Sequence, residues 1–262
     1  MPSTHCFEWR IVLVRPRNPL NIGAAARAMA NFGLSDLVVV DPYEPVWQET
    51  RSAVGAGDLI RSARSVETLP EALENVTLVV GTTAGARRTL PQDLMSLTEL
   101  SAWLRNKRRR HRAAMLFGSE KTGLSNEHLS YCHALVRIPT TPDCPSMNLG
   151  QSVAVCGYEL TRAGLVAPGP VRAVRSTRAK VEFGRRPEAR VHHSDIASVQ
   201  SLDHILIRAA SVLGRVGYLQ PATRNAAMLK LRRLLLRMKL TNYEAKVLGG
   251  ILAQVEWKLD HP

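Results

Sequence analysis

Short unbroken apolar runs recur along the first part of the chain, separated by stretches with helical spacing. The runs are Arg10–Arg15 (RIVLVR), Leu37–Asp41 (LVVVD), Val76–Gly81 (VTLVVG), Ala113–Gly118 (AAMLFG) and Ala134–Ile138. A run that is apolar throughout, instead of alternating, marks a strand buried on both faces, as in a parallel sheet. Between the runs lie helix signals. An alanine-rich segment, Ile22–Phe32, follows a turn with two prolines, Pro16–Leu20; Asn21 is placed to cap it and Gly33 to stop it. Thr68-x-x-Glu71 and Ser96-x-x-Glu99 read as capping boxes, the second opening a helix that ends in the basic run Arg105–Arg112. Strands alternating with helices predict an α/β domain with a mostly parallel sheet, ending near Leu165.

The pattern changes character at Ile138–Leu160. Three prolines, Pro139, Pro142 and Pro145, stand three apart and stiffen the loop against both helix and central strand. Ser146 or Asn148 can then cap a helix. On that helix Gly150, Ala154 and Gly157 fall on one face at spacings of four and three, a surface suited to close packing.

Beyond Leu165 the rhythm breaks. Ala167–Ser194 is rich in proline and arginine and reads as a linker. Asp195–Leu213 and Ala222–Leu240 follow with helical periodicity. A third capping box, Thr241-x-x-Glu244, opens a last helix to about Leu259. The expected organisation is an α/β domain over 1–166, a basic linker over 167–194 and a small helical extension over 195–262, too small to carry chemistry itself.

Composition narrows the partners. A net charge of +13 in 262 residues favours a polyanion, either nucleic acid or an acidic membrane surface. Aromatic residues make up only 5%, which argues against recognition mainly by stacked single-stranded bases. No stretch approaches the length of a transmembrane helix, and the N-terminus lacks a signal-peptide core, so a cytoplasmic protein is expected. The four cysteines form no Cys-x-x-Cys pair and are expected to be reduced thiols, with no metal site.

Known nucleotide and hydrolase signatures are missing. There is no Walker loop, no Gly-x-Gly-x-x-Gly after the first strand, no Gly-x-Ser-x-Gly and no His-Glu-x-x-His. Three loops remain, each after a predicted strand, where ligands sit in open α/β sheets. They are Asn21-Ile-Gly-Ala-Ala-Ala-Arg27, Phe117-Gly-Ser-Glu-Lys-Thr-Gly-Leu124, and the proline loop with Ser146, Met147, Asn148 and Leu149. Arg27 is the odd residue. A guanidinium on a small, apolar helix must find a partner, face a cleft or point to solvent.

In this order and spacing the three loops resemble the SPOUT methyltransferases, specifically the TrmH-like RNA ribose 2′-O-methyltransferases. The matching residues are Asn21-x-Gly23-x-x-x-Arg27, Phe117-Gly-Ser-Glu-x-x-Gly-Leu124, and Ile138-Pro139 through Ser146-Met-Asn-Leu149 with Ser152. Lys230–Leu234 and Leu248–Leu252 are similar to the C-terminal extension of the TrmJ group, which methylates tRNA nucleotide 32.

The resemblance implies a SPOUT fold whose C-terminal trefoil knot ends in Ile138–Leu160, and a homodimer through the knot with the small helix face packed against its copy. It implies S-adenosylmethionine held by Thr82, Thr83, Ala84, Gly118, Ile138, Pro145, Ser146, Met147 and Leu149. Arg27 would anchor the target phosphate and polarise the 2′-hydroxyl, with Asn21, Glu120, Ser146 and Asn148 orienting substrate and loop. Arg105, Lys107, Arg108, Arg109, Arg110, Arg232 and Arg233 would meet RNA phosphates. Rival readings are a ribosomal RNA substrate, a catalytically silent knotted RNA-binding dimer, and an acidic-membrane binder built on Ala222–Leu240.

Overall fold

The computed structural model describes residues 7–43, 47–84, 92–105, 107, 111–166 and 196–261. The expected linker, Cys6 and Arg108 to Arg110 lie outside the described residues. Seven strands form one sheet: β1 (Glu8–Val14), β2 (Asp36–Val40), β3 (Arg64–Val66), β4 (Leu78–Thr82), β5 (Leu94–Ser96), β6 (Arg112–Phe117) and β7 (Ala134–Arg137). Their order is β3-β2-β1-β6-β4-β7-β5, and every pairing is parallel.

The apolar runs are strands for the reason the sequence suggests: both faces are covered. On one face Ile11, Leu13, Val39, Val80, Met115 and Phe117 meet helices α1 (Pro19–Asn31), α2 (Gly57–Ser62), α4 (Leu97–Arg105) and α6 (Leu149–Arg162). On the other, Val12, Val14, Val38, Val79 and Leu116 meet α3 (Leu69–Ala72) and α5 (Asn126–Ser130). Alternate residues of one strand thus feed two cores, as the period of two requires.

The helical extension comprises α7 (Val199–Arg215), α8 (Arg224–Met238) and α9 (Asn242–Asp260) around a small core of its own. It is docked on the sheet domain. Val199 is buried in the second sheet core, and its N–H donates to the carbonyl of Val76 at 2.8 Å. Among the described residues no helix is long and apolar enough to cross a membrane.

Several local expectations change. Asn18, not Asn21, caps α1, accepting the Leu20 N–H at 2.9 Å, because Pro19 starts the helix at its first position. Thr68 precedes α3 without a side-chain cap; its hydroxyl bonds the Glu71 carboxylate instead. At Ser96 only half of the box forms, the Glu99 carboxylate accepting the Ser96 N–H. That helix ends at Arg105, and Arg112 already belongs to β6. The box at Thr241 and Glu244 forms in both directions. Asn148 caps α6, its Oδ1 accepting the N–H groups of Gly150 and Gln151.

The glycine face of α6 does not wait for a second copy. A Cβ on Gly150 would stand 2.7 Å from the Ala24 Cβ, and one on Gly157 would stand 2.9 Å from the Phe32 ring. The small residues let α6 lie directly on α1 of the same chain.

Candidate active site

In a parallel sheet all strand C-termini open on one edge, and β6, β4 and β7 are adjacent there. Two hydrogen bonds knit their ends together. Thr82 Oγ1 donates to the Leu116 carbonyl at 2.8 Å, and the Thr83 N–H donates to the Val136 carbonyl at 3.0 Å. Thr82, Thr83, Gly118 and Ile138 are therefore brought to one edge, as expected, with Ala84 exposed just beyond. The proline loop is closed by Thr140, whose hydroxyl donates to the Pro145 carbonyl at 3.2 Å. Pro145 and Ser146 are exposed, Met147 is half-buried and Leu149 is buried at the start of α6. The Thr82 hydroxyl is already engaged, and none of these named residues carries a charged side chain.

The loop after β6 owes its shape to two glycines. Gly123 has φ of +65°, in the left-handed region that favours glycine. A Cβ on Gly118 would stand 2.2 Å from the backbone of Gly123 and Leu124, so only glycine permits this tight return.

That return presents Glu120 to the start of α1. Its carboxylate accepts the Arg17 N–H at 2.9 Å, the Asn18 N–H at 3.3 Å and Asn21 Nδ2 at 2.8 Å. Asn21 Oδ1 in turn accepts Asn148 Nδ2 at 2.9 Å, and Asn148 caps α6. One chain of polar contacts thus joins all three loops. Burial by itself pushes the Glu120 carboxyl up. The bonds from Asn21 and from the N–H groups of Arg17, Glu120 and Asn18 outweigh it and hold the group below the usual carboxylate range. A carboxylate so engaged is a fixed brace; it is badly suited to accept a proton in a reaction.

Arg27 lies six residues along α1 from Asn21 and is exposed; among the described residues it has no hydrogen bond or ion pair. Its guanidinium is left free for a ligand. Near it in the chain, Arg17 lies 5.1 Å from the centroid of the exposed Tyr43 ring. The sequence reading missed this cation–aromatic pair, because nothing in the spacing of residues 17 and 43 predicts it.

The expected RNA contacts divide. Arg105 is exposed, and Lys107 places its ammonium 3.8 Å from the centroid of the Trp103 ring. Arg232 is not a free cation. It pairs with Asp203 at 2.9 Å, donates to Ser130 Oγ at 3.0 Å and covers the Tyr131 ring at 3.9 Å, with only 15% of its side chain exposed. It clamps α8 to the end of α5, with its charge already paired. Arg233 is half-buried, facing a cavity between the two units.

Residues 8–158 match the family model of the SpoU rRNA Methylase family, and residues 201–262 match that of the tRNA methyltransferase TrmJ C-terminal domain. The chain is 34% identical over 249 residues to the tRNA (cytidine/uridine/adenosine-2′-O-)-methyltransferase TrmJ of Pseudomonas aeruginosa, covering 94% of this chain and 93% of that one. It is 35% identical over 248 residues to the tRNA (cytidine/uridine-2′-O-)-methyltransferase TrmJ of Pectobacterium atrosepticum, covering 94% and 96%. Among solved structures it is similar to TrmJ from Z. mobilis ZM4, with a TM-score of 0.75 at 26% identity over 94% of this chain and 98% of that one.

Proposed function

Since the chain belongs to the SpoU methylase family, we propose that it is an S-adenosylmethionine-dependent ribose 2′-O-methyltransferase of tRNA, acting in the anticodon loop at nucleotide 32. The observation that carries this reading is the junction of the three loops through Glu120, Asn21 and Asn148 at the strand ends.

This edge fits the cofactor by its donor set. An adenosyl group needs backbone partners and apolar walls, and Thr82 to Ala84, Gly118, Ile138 and Pro145 to Leu149 offer these with no charged side chain among them. Bound there, S-adenosylmethionine would supply an activated methyl on a sulfonium for transfer to the ribose oxygen, leaving a neutral thioether and releasing the hydroxyl proton.

The protein's part is alignment. Arg27 anchors the phosphate beside the target ribose and polarises the 2′-hydroxyl; being always protonated, it serves as a charge and not as a base. Glu120, Asn21 and Asn148 hold α1, which carries Arg27, and the proline loop at a fixed distance. Ser146, exposed on the loop, is placed to orient substrate. The proline loop and α6 form the last part of a trefoil knot. A homodimer forms through this region, using exposed residues such as Leu20 and Tyr158 and not the glycine face, which α1 already covers.

The test is transfer of labelled methyl from S-adenosylmethionine to unmodified tRNA transcripts and, separately, to ribosomal RNA, followed by digestion to locate the label. A 2′-O-methyl in the tRNA anticodon loop is expected. Label in ribosomal RNA alone overturns the substrate, and no cofactor binding overturns the enzyme.

A further inference from the structure

A cavity of about 790 Å³ opens at the other end of the sheet. Its wall includes Thr77 and Leu78 where β4 begins, His111 just before β6, and His133 just before β7. The helical extension closes it from the side. Among the described residues four cations line it, Lys107, Arg233, Arg237 and Lys239, against a single acid, Asp93. From the geometry we infer that this cavity is a phosphate-binding cleft that takes the sugar–phosphate backbone of the RNA substrate, away from the reacting ribose. The inference rests on the RNA reading above.

Of the four, Lys107 sits over the Trp103 ring. Among the described residues Arg233, Arg237 and Lys239 make no ion pair, and Arg233 Nε is buried with no hydrogen-bond partner. Lys107 feels the crowding. Burial first, and then the charge of Lys239, lower its pKa, with Asp93 opposing only in part. His133 adds no charge: burial, then Lys107 and His111, push it down to about 4. Its Nδ1 accepts the Val79 N–H at 3.1 Å, so the neutral ring carries its proton on Nε2. Positive groups lining one space with one counter-charge among the described residues are stabilised by an anionic ligand, and phosphate oxygens satisfy guanidinium and ammonium groups directly.

Size and place fit a backbone segment. The volume is in the range of ligand clefts. The six residues of β6 separate this end of the sheet from the methyl-transfer edge by about 20 Å. Contacts here set the register of the RNA without touching the chemistry. The same phosphate chemistry could also come from a free phosphate compound, which the test distinguishes.

The variants are Arg237→Gln combined with Lys239→Asn, the asparagine chosen because Lys239 has φ of +52°. The control is Lys230→Gln, exposed on the same helix and outside the cavity wall. Affinity for unmodified tRNA is measured against salt, with far-UV circular dichroism and thermal unfolding to verify folding. The double variant should bind roughly tenfold or more weakly at ~150 mM salt, and its slope of log affinity on log salt should fall by about two; the control should do neither. An equal fall in the control overturns the cleft in favour of diffuse charge. An unchanged slope together with loss of thermal stabilisation by inorganic pyrophosphate overturns the RNA occupant and assigns a free phosphate compound. Methyl transfer by the unaltered protein is followed alongside. If it occurs while the slope is unchanged, only the cleft fails; if tRNA is never methylated, the functional reading itself fails.

Discussion

Asn148 Nδ2 donates to Asn21 Oδ1 at 2.9 Å across 127 residues of chain. Each side chain is used at both ends. Asn21 also donates to Glu120, and Asn148 also caps α6, so one short relay fixes the spacing of three loops that the sequence scatters. The side chains expected to act on substrate are in this arrangement mostly holding one another. Arg27 alone of the set is left with its charge free.

Asn21→Ala should therefore act through geometry. It removes two hydrogen bonds, one to a carboxylate, and should cost about 1–2 kcal/mol of stability. Methyl transfer should fall further than this loss implies, because the link from Glu120 to Asn148 is cut even though Glu120 keeps its bonds from Arg17 and Asn18. Steady-state kinetics with urea unfolding tests it: a stability loss with unchanged turnover would leave the relay purely structural.

Arg27→Ala should separate the roles most cleanly. The residue is exposed and without partners among the described residues, so unfolding free energy should stay within about 0.5 kcal/mol of the unaltered protein. Methyl transfer should be abolished while S-adenosylmethionine affinity, read by calorimetry, stays near its original value. A large loss of cofactor affinity would move Arg27 into the cofactor pocket.

Glu120 predicts a pH dependence. A carboxyl held below its ordinary pKa in the folded state adds stability at pH above the unfolded pKa and loses it as pH falls through the folded value. Glu120→Gln cannot titrate. The gap in melting temperature between the two proteins should be full near neutrality and close as pH drops below the ordinary value of 4.5. A gap constant down to pH 3 would show that the carboxylate is not held down.

Two glycines on different helices should respond with opposite sign. Alanine is favoured over glycine in a helix by about 1 kcal/mol. At Gly249 in α9 an added Cβ meets nothing within 4 Å, so Gly249→Ala should stabilise by about that amount. At Gly150 it would stand 2.7 Å from the Ala24 Cβ and 3.2 Å from the Ala24 backbone. Overpacking there costs about 1–3 kcal/mol, so Gly150→Ala should be net destabilising in chemical denaturation. Stabilisation at both sites would mean that α6 does not lie on α1 as described.

Much of this was legible in the chain, for identifiable reasons. The strand runs were readable because burial on both faces removes polar positions, and the three loops because glycine and proline punctuate them. The start of α1 was misread by three residues, although Asn18-Pro19 carries the cap signal in plain form; Asn21 drew the reading because it belongs to the motif. The glycine face of α6 was legible as a close-packing surface, but one chain cannot say whether the surface it meets is its own. Arg232 was misread for the same reason. Within Lys-Leu-Arg-Arg-Leu it looks like one cation among several, and only the tertiary fold puts Asp203, Ser130 and Tyr131 around it.

That clamp carries the last prediction. Arg232 and Asp203 are 15% and 13% exposed, and Tyr131, pushed up to about 12 chiefly by burial, presents its neutral ring beneath the guanidinium. Removing one member of a buried pair leaves the other charge uncompensated, at a cost of about 3–5 kcal/mol. Arg232→Met should therefore lower stability by several kcal/mol and increase hydrogen exchange where α8 meets α5. Arg232→Met combined with Asp203→Leu should recover much of the loss, because no lone charge remains. Since Arg232 points into the junction and not to solvent, the salt slope of tRNA binding should stay unchanged in the folded double variant. A slope lower by about one would return Arg232 to the RNA-binding surface.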